Sequence, residues 1–210
     1  MHTRDPHDLV PTWVGLVDDA AIFPPGNASL ADAVAAHSAH REEWWAALVG
    51  SLVVRDADLA QAAGTDARLA VVVTGGAGAV AGPLGLARRL GLSVAGVEIA
   101  LRDLDDLAGN ARRVVTAVEA ARPDGALDED ITVHVELPRA EVSAAWLSAA
   151  DEVAAAGLRL KYRTGGTDAS ACPSAAEVVT WIDAALDREV PFKCTAGLHQ
   201  AIRHRDPETG

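Results

Sequence analysis

Two cysteines in 210 residues, Cys172 and Cys194, are too few for a disulfide framework. That scarcity excludes a small secreted scaffold held by cross-links and fits a reducing, cytoplasmic setting. Long apolar runs are missing too. None approaches the roughly 18 residues that a membrane span requires, and the N-terminal MHTRDPHDLVP is polar, without the apolar centre of a signal peptide. Positive charge is in short supply: 18 Lys and Arg stand against 30 Asp and Glu, a formal net charge of −12. A phosphate backbone calls for a basic surface, so nucleic acid is excluded as the main partner. No repeat organises the chain beyond a Thr-Gly-Gly that follows two of its strands. The expectation is one cytoplasmic domain over residues 1–210, with no membrane or nucleic-acid partner.

Half of the residues are hydrophobic and 23% are charged, the balance of a globular domain with a substantial core. Three segments alternate in a way that sets the fold class. In LRLKYRTGG, Leu158, Leu160 and Tyr162 oppose Arg159, Lys161 and Arg163. In ITVHVEL, Ile131, Val133, Val135 and Leu137 oppose Thr132, His134 and Glu136, and in PFKCTAG, Phe192 and Cys194 oppose Lys193 and Thr195. Successive side chains of a strand point to opposite faces, so each segment has one apolar and one polar face. Helical patterns separate them, which predicts a parallel sheet. Parallel strands normally read as unbroken apolar runs because helices cover both faces. A parallel sheet with a polar face fits a TIM-like (β/α) barrel, whose outer face packs on helices and whose inner face lines a lumen.

Seven β units can be read. The strands fall at Trp13–Val17, Val49–Val54, Leu69–Val73, Ser93–Leu101, Ile131–Leu137, Leu158–Arg163 and Pro191–Thr195. The helices between them span about 29–48, 58–63, 79–90, 104–121 and 141–156, and a last one opens at the capping box Ser174/Glu177. A standard barrel needs eight units. The eighth is missing or supplied otherwise: the chain is C-terminally truncated, or the barrel is open at one seam. An open seam exposes strand edges, so a homo-oligomer or a covering segment is expected.

Active sites of such barrels lie at the C-terminal ends of the strands, and the polar residues gathered there predict an enzyme. Lys161 and Lys193 fall on neighbouring strands. Burial beside a second cation lowers a lysine's pKa, and a neutral amine can attack a carbonyl to form a Schiff base. Either lysine can instead pair with Glu98 or Glu136. Glu98, His134 and Glu136 form a competing set: two carboxylates and an imidazole suit a divalent metal, Mg²⁺ or Mn²⁺, in an enolate-forming lyase or isomerase. A buried ion network, or a non-catalytic ligand-binding barrel, are the plainer readings of the same residues. Thr164, Gly165 and Gly166 can offer backbone N–H groups to an anion, with Arg163 and Arg55 as bidentate partners. Asp18 and Asp19 can form a proton-transfer pair before the rigid Ile22–Gly26, and Thr195 and His199 complete the candidate substrate contacts. Trp44, Trp45, Trp146 and Trp181 read as core or interface.

These motifs carry a resemblance. A strand-six lysine followed by Thr-Gly (Lys161, Thr164, Gly165), with a second lysine before the small-residue turn Cys194–Gly197, is similar to class I deoxyribose-phosphate aldolase barrels. The resemblance implies that Lys161 forms the imine, that Lys193 tunes it, that Glu98 shuttles protons, and that no cofactor is needed. The chain departs from that family in having Arg163 at a small-residue position, Glu for Asp at 98, and no strand-eight phosphate loop. GLVDDAAIFPP, KYRTGG and FKCTAGLH also resemble signatures of an uncharacterised bacterial (β/α)-barrel family. The expectation is a lyase acting on a small anionic carbonyl compound. If the cluster is an active site, Lys161→Ala and Glu136→Ala should leave the fold intact or even stabilise it, and collapse of both would mark the cluster as structural.

Overall fold

The computed structural model describes residues 11–196. Alternation of apolar and polar residues produces seven strands, β1 (Val17–Asp19), β2 (Val49–Arg55), β3 (Arg68–Val73), β4 (Ser93–Ala100), β5 (Thr132–Glu136), β6 (Arg159–Arg163) and β7 (Phe192–Thr195). Five helices lie between them, α1 (Leu30–Ala39), α2 (Ala81–Arg89), α3 (Leu107–Ala121), α4 (Ala144–Ala155) and α5 (Ala175–Leu186). The strands form one sheet in the order β1 to β7, and every neighbouring pair is parallel. Seven units are present as expected, but the closed barrel is not. Among the described residues β1 pairs only with β2 and β7 only with β6. The architecture is a curled half-barrel. It curls far enough that the ammonium of Lys193 on β7 lies 2.8 Å from the carboxylate of Asp18 on β1. No described helix is long and apolar enough to cross a membrane.

The convex face is the greasy one. Leu52, Val54, Leu69, Val71, Val97, Ile99, Val135 and Leu160 are fully buried beneath the helices. Trp146 of α4 and Trp181 of α5 close on Tyr162 of β6, with ring centroids 6.0 Å and 5.8 Å apart, a spacing typical of aromatic pairs. These two tryptophans are core, as expected, whereas Trp44 is exposed. The concave face carries Glu98, His134, Glu136, Lys161 and Lys193. Burial follows the alternation in β5, whereas Glu98 and Lys161 on the polar face are as buried as their apolar neighbours and Cys194 on β7 is exposed.

One element and two boundaries differ from expectation: no α-helix forms over 58–63, where a 3-10 turn at Asp56–Asp58 is followed only by turns. The first strand lies on the acidic pair rather than at Trp13–Val17, because Pro11–Trp13 is a turn of 3-10 helix and Gly15 has a φ of 65°. The acids are accommodated in a strand because each has a partner, Asp18 Oδ1 accepting the Ser51 N–H at 2.8 Å and Asp19 facing His37. The helix expected to reach Leu48 stops at Ala39. Glu43 is extended (φ −86°, ψ 149°), and the chain folds back so that Trp45 packs on His40 at 4.9 Å between centroids. Tertiary packing overrides helix propensity there.

The capping box that opens α5 is reciprocal: Ser174 Oγ accepts the Glu177 N–H at 3.2 Å and the Glu177 carboxylate accepts the Ser174 N–H at 2.7 Å. Ser174→Ala should cost about 1 kcal/mol, read as a fall of about 3 °C in calorimetric Tm.

Candidate active site

The polar residues of the concave face join into one chain of ion pairs. Glu98, at the middle of β4, contacts both lysines: its Oε2 is 2.6 Å from Lys161 Nζ and its Oε1 is 2.6 Å from Lys193 Nζ. Lys161 continues to Glu136 Oε2 at 2.7 Å, and Glu136 Oε1 is 3.3 Å from Arg163 Nε. Lys193 continues in the other direction to Asp18. Register makes this possible, since Glu136, Lys161 and Lys193 are aligned across β5, β6 and β7. Three carboxylates alternate with three cations from the exposed Arg163 to the half-buried Asp18, and the sealed centre is Glu98 and Lys161, each 3% exposed. Charges this deep persist only when paired.

The pairing fixes protonation. Burial alone would raise the Glu98 carboxyl, but the two ammonium groups outweigh it and hold it below the usual carboxylate range. Burial alone would lower Lys193, but Glu98 and Asp18 hold it above the usual lysine value. The expectation that neighbouring cations depress one another therefore fails at Lys193: each lysine reaches a carboxylate before it reaches the other lysine. His134 behaves oppositely. Burial, then the Lys193 charge, lower its pKa from 6.5 to about 4, so the imidazole is neutral at ordinary pH. It lines a cavity of about 150 Å³ together with Asp18, Gly96, Glu98, Arg159 and Lys193.

The other expected site residues divide. Arg163 is at the outer end of the network. Thr164 follows it, its N–H donating to the Thr195 carbonyl at 2.8 Å and its hydroxyl to the same oxygen at 3.2 Å. Gly165 is buried and Gly166 exposed; a Cβ on Gly166 would meet Ala171 Cβ at 2.5 Å. Thr195 Oγ1 is buried and finds no hydrogen-bond partner among the described residues. Arg55 leaves the network, pairing with Asp58 at 3.4 Å and lying 4.7 Å over the Phe23 ring. His199 lies outside the described residues. Asp18 and Asp19 are not a proton-transfer pair, because the strand sends Asp18 to the concave face and Asp19 to the helix layer. Nor do Glu98, His134 and Glu136 gather as metal ligands. Both carboxylates face lysines, and only Asp19, His37 and His40, among the described residues, bring three possible ligand atoms within 4.8 Å.

One signal went unread in the residue patterns. Lys161 and Lys193 are the sole lysines of the chain; the other 16 of its 18 basic residues are arginines. A chain that uses arginine at every other cationic position keeps lysine at the two positions that share Glu98. Arginine serves an ion pair as well or better, whereas lysine alone can yield a nucleophilic amine. No known family model matches the chain, and no curated protein matches it either.

Proposed function

We propose that this protein is an enzyme acting on a small anionic carbonyl compound, with aldolase- or lyase-type C–C chemistry carried by Lys161 in a TIM-like half-barrel. The observation that carries the reading is the confinement of the chain's two lysines to opposite oxygens of one buried glutamate. It agrees with the resemblance of the KYRTGG and FKCTAG motifs to aldolase barrels, in which two lysines and an acid cooperate.

Lys161 Nζ passes a proton to Glu136, 2.7 Å away. The free amine adds to the carbonyl carbon, and the same carboxylic acid returns the proton to the departing hydroxyl, so that water leaves and an iminium remains. That cation takes up the electron pair of the C–C bond that breaks and becomes an enamine, while the hydroxyl of the departing fragment gives its proton to the carboxylate and the fragment leaves as a carbonyl; the carboxylic acid then protonates the enamine carbon, and water hydrolyses the iminium to release the second product and Lys161. Lys193 stays a cation and balances Glu98. Neutral His134 accepts or relays a proton beside the cavity. Arg163, the Gly165–Gly166 backbone that Thr164 pins to β7, and the Thr195 hydroxyl, without a partner among the described residues, form the anion clamp. The edge of β1, uncovered among the described residues and flanked by Trp13, Val14, Leu16 and Val17, each about half exposed, is completed by a second copy of the chain in this reading.

A second assignment exchanges the lysines. The Lys193 side chain is 19% exposed and borders the cavity, whereas that of Lys161 is 4% exposed. Incubation with short aldehydes and keto acids, borohydride reduction and peptide mass mapping decide between them. The expected result is one adduct on the Lys161 peptide, absent from Lys161→Arg. An adduct on Lys193 selects the exchange. No lysine adduct across a broad carbonyl panel removes the imine chemistry altogether.

A further inference from the structure

On the opposite face of β1 from the ion-pair network, Asp19 meets two histidines from the end of α1. Asp19 Oδ2 is 3.2 Å from His37 Nδ1 and 3.5 Å from His40 Nδ1. The histidines are three residues apart and therefore share one side of the helical turn. We propose that Asp19, His37 and His40 form a binding site for a divalent transition-metal ion of the Zn²⁺ class, separate from the lysine network.

Four observations support the site. Two imidazoles and a carboxylate are the donor set such ions take, and three protein ligands leave a fourth position open. The spacing fits: metal–ligand bonds of about 2.0–2.1 Å in a tetrahedron place neighbouring ligand atoms about 3.4 Å apart, and the two N–O separations bracket that value. His40 Nδ1 is buried without a hydrogen-bond partner among the described residues and lies 3.5 Å from the shared Asp19 oxygen, an unsatisfied atom that an ion would satisfy. The ligands are also held from behind. Asp19 Oδ1 accepts the Ala21 N–H at 3.1 Å, leaving Oδ2 for the ion, and the His40 ring rests on Trp45. Outer contacts of this kind orient metal ligands.

A cavity of about 300 Å³ adjoins His37 and His40 and is walled by Val49, Gly50 and the Arg41–Asp66 pair. It gives the ion a way in and its fourth ligand, a water, a place. Bound metal would tie the edge strand β1 to α1, so its signature is stability as well as occupancy.

The full-length chain, stripped with a chelator and desalted, is titrated with Co²⁺ and followed by visible absorption. One equivalent should bind per chain with the intense band of four-coordinate cobalt, Zn²⁺ should displace it, and either ion should raise the melting temperature. Asp19→Asn and His40→Ala should each weaken binding at least about tenfold. His40 is chosen because its side chain is 33% exposed against 7% for His37, and the metal-free melting curve of His40→Ala shows whether it folds. Arg163→Ala serves as a control that should leave cobalt binding unchanged. Failure of Co²⁺ to bind saturably, or binding that survives both Asp19→Asn and His40→Ala, would overturn the assignment.

Discussion

Glu98→Ala is expected to destabilise the protein by about 3–5 kcal/mol, the range for removing one partner of a buried charge cluster. For a chain of this size that is a fall of roughly 10 °C in Tm. Glu98 holds Lys161 on one oxygen and Lys193 on the other. Without it Lys161 keeps Glu136 and Lys193 keeps Asp18, but the carboxylate between the two ammonium groups is gone and two acids are left for the three cations of the network. The cost comes from those stranded charges and not from a lost attraction, which dictates the rest of the series. Adding Lys161→Met to Glu98→Ala should recover part of the loss, because one uncompensated cation disappears, and the two changes should be strongly non-additive. Arg163→Ala, at the exposed end of the same chain of charges, should change stability by less than about 1 kcal/mol. The geometry also revises what was expected of Lys161→Ala: its removal presses the Glu98 and Glu136 carboxylates together, so the fold should weaken, whereas the more open Glu136→Ala should be tolerated better. Urea titrations of these five variants and of Lys161→Met alone, at neutral pH, check the set. A Glu98→Ala protein within about 1 kcal/mol of the parent would mean that the cluster is not sealed.

How far the residues announce this arrangement depends on the distance over which each feature is decided. The polar concave face was legible because alternation within β5, β6 and β7 is local: Lys161 and Glu136 each sit between two buried apolar neighbours. The identity of the ion pairs was not. Lys193 meets Asp18 across 175 positions of sequence, and only the curl of the sheet brings them together. Parity at β1 was equally hidden. A three-residue strand offers too little alternation to show which acid faces inward, so Asp18 and Asp19 read as one functional pair although they serve opposite faces. His37 and His40 drew no notice because a histidine in an Ala-rich helix carries no pattern; their partner comes from β1, and their proximity to it exists only after folding. Closure was overestimated for a related reason. A lumen-like face follows from residue types, whereas closing the sheet depends on an eighth strand, and none is found among the described residues.

Acid should unfold the protein in two stages, the first belonging to His134. Its pKa falls from the usual 6.5 to about 4, because burial, followed by the charge of Lys193, resists a second cation there. Below pH 6.5 the unfolded chain takes up a proton at this ring, while the folded chain refuses it until about pH 4. The unfolded state thus binds more protons across that window, and stability falls as pH drops through it. A shift of this size corresponds to about 3 kcal/mol, and to nearer 2 once the partial opening of the ring to its cavity is allowed for. The second stage is Glu98. Its carboxyl is held low by the two lysines, so its contribution is present above the usual carboxylate value and is lost only as pH falls through the depressed one. His134→Gln keeps a polar side chain but cannot titrate. It should flatten the stability profile between pH 6.5 and 4 and leave the steeper loss below it, as read from urea midpoints at half-unit steps of pH. Equal slopes in parent and variant across that window would show that the ring is already solvated, and the neutral imidazole assigned to proton transfer beside Lys193 would lose its physical basis.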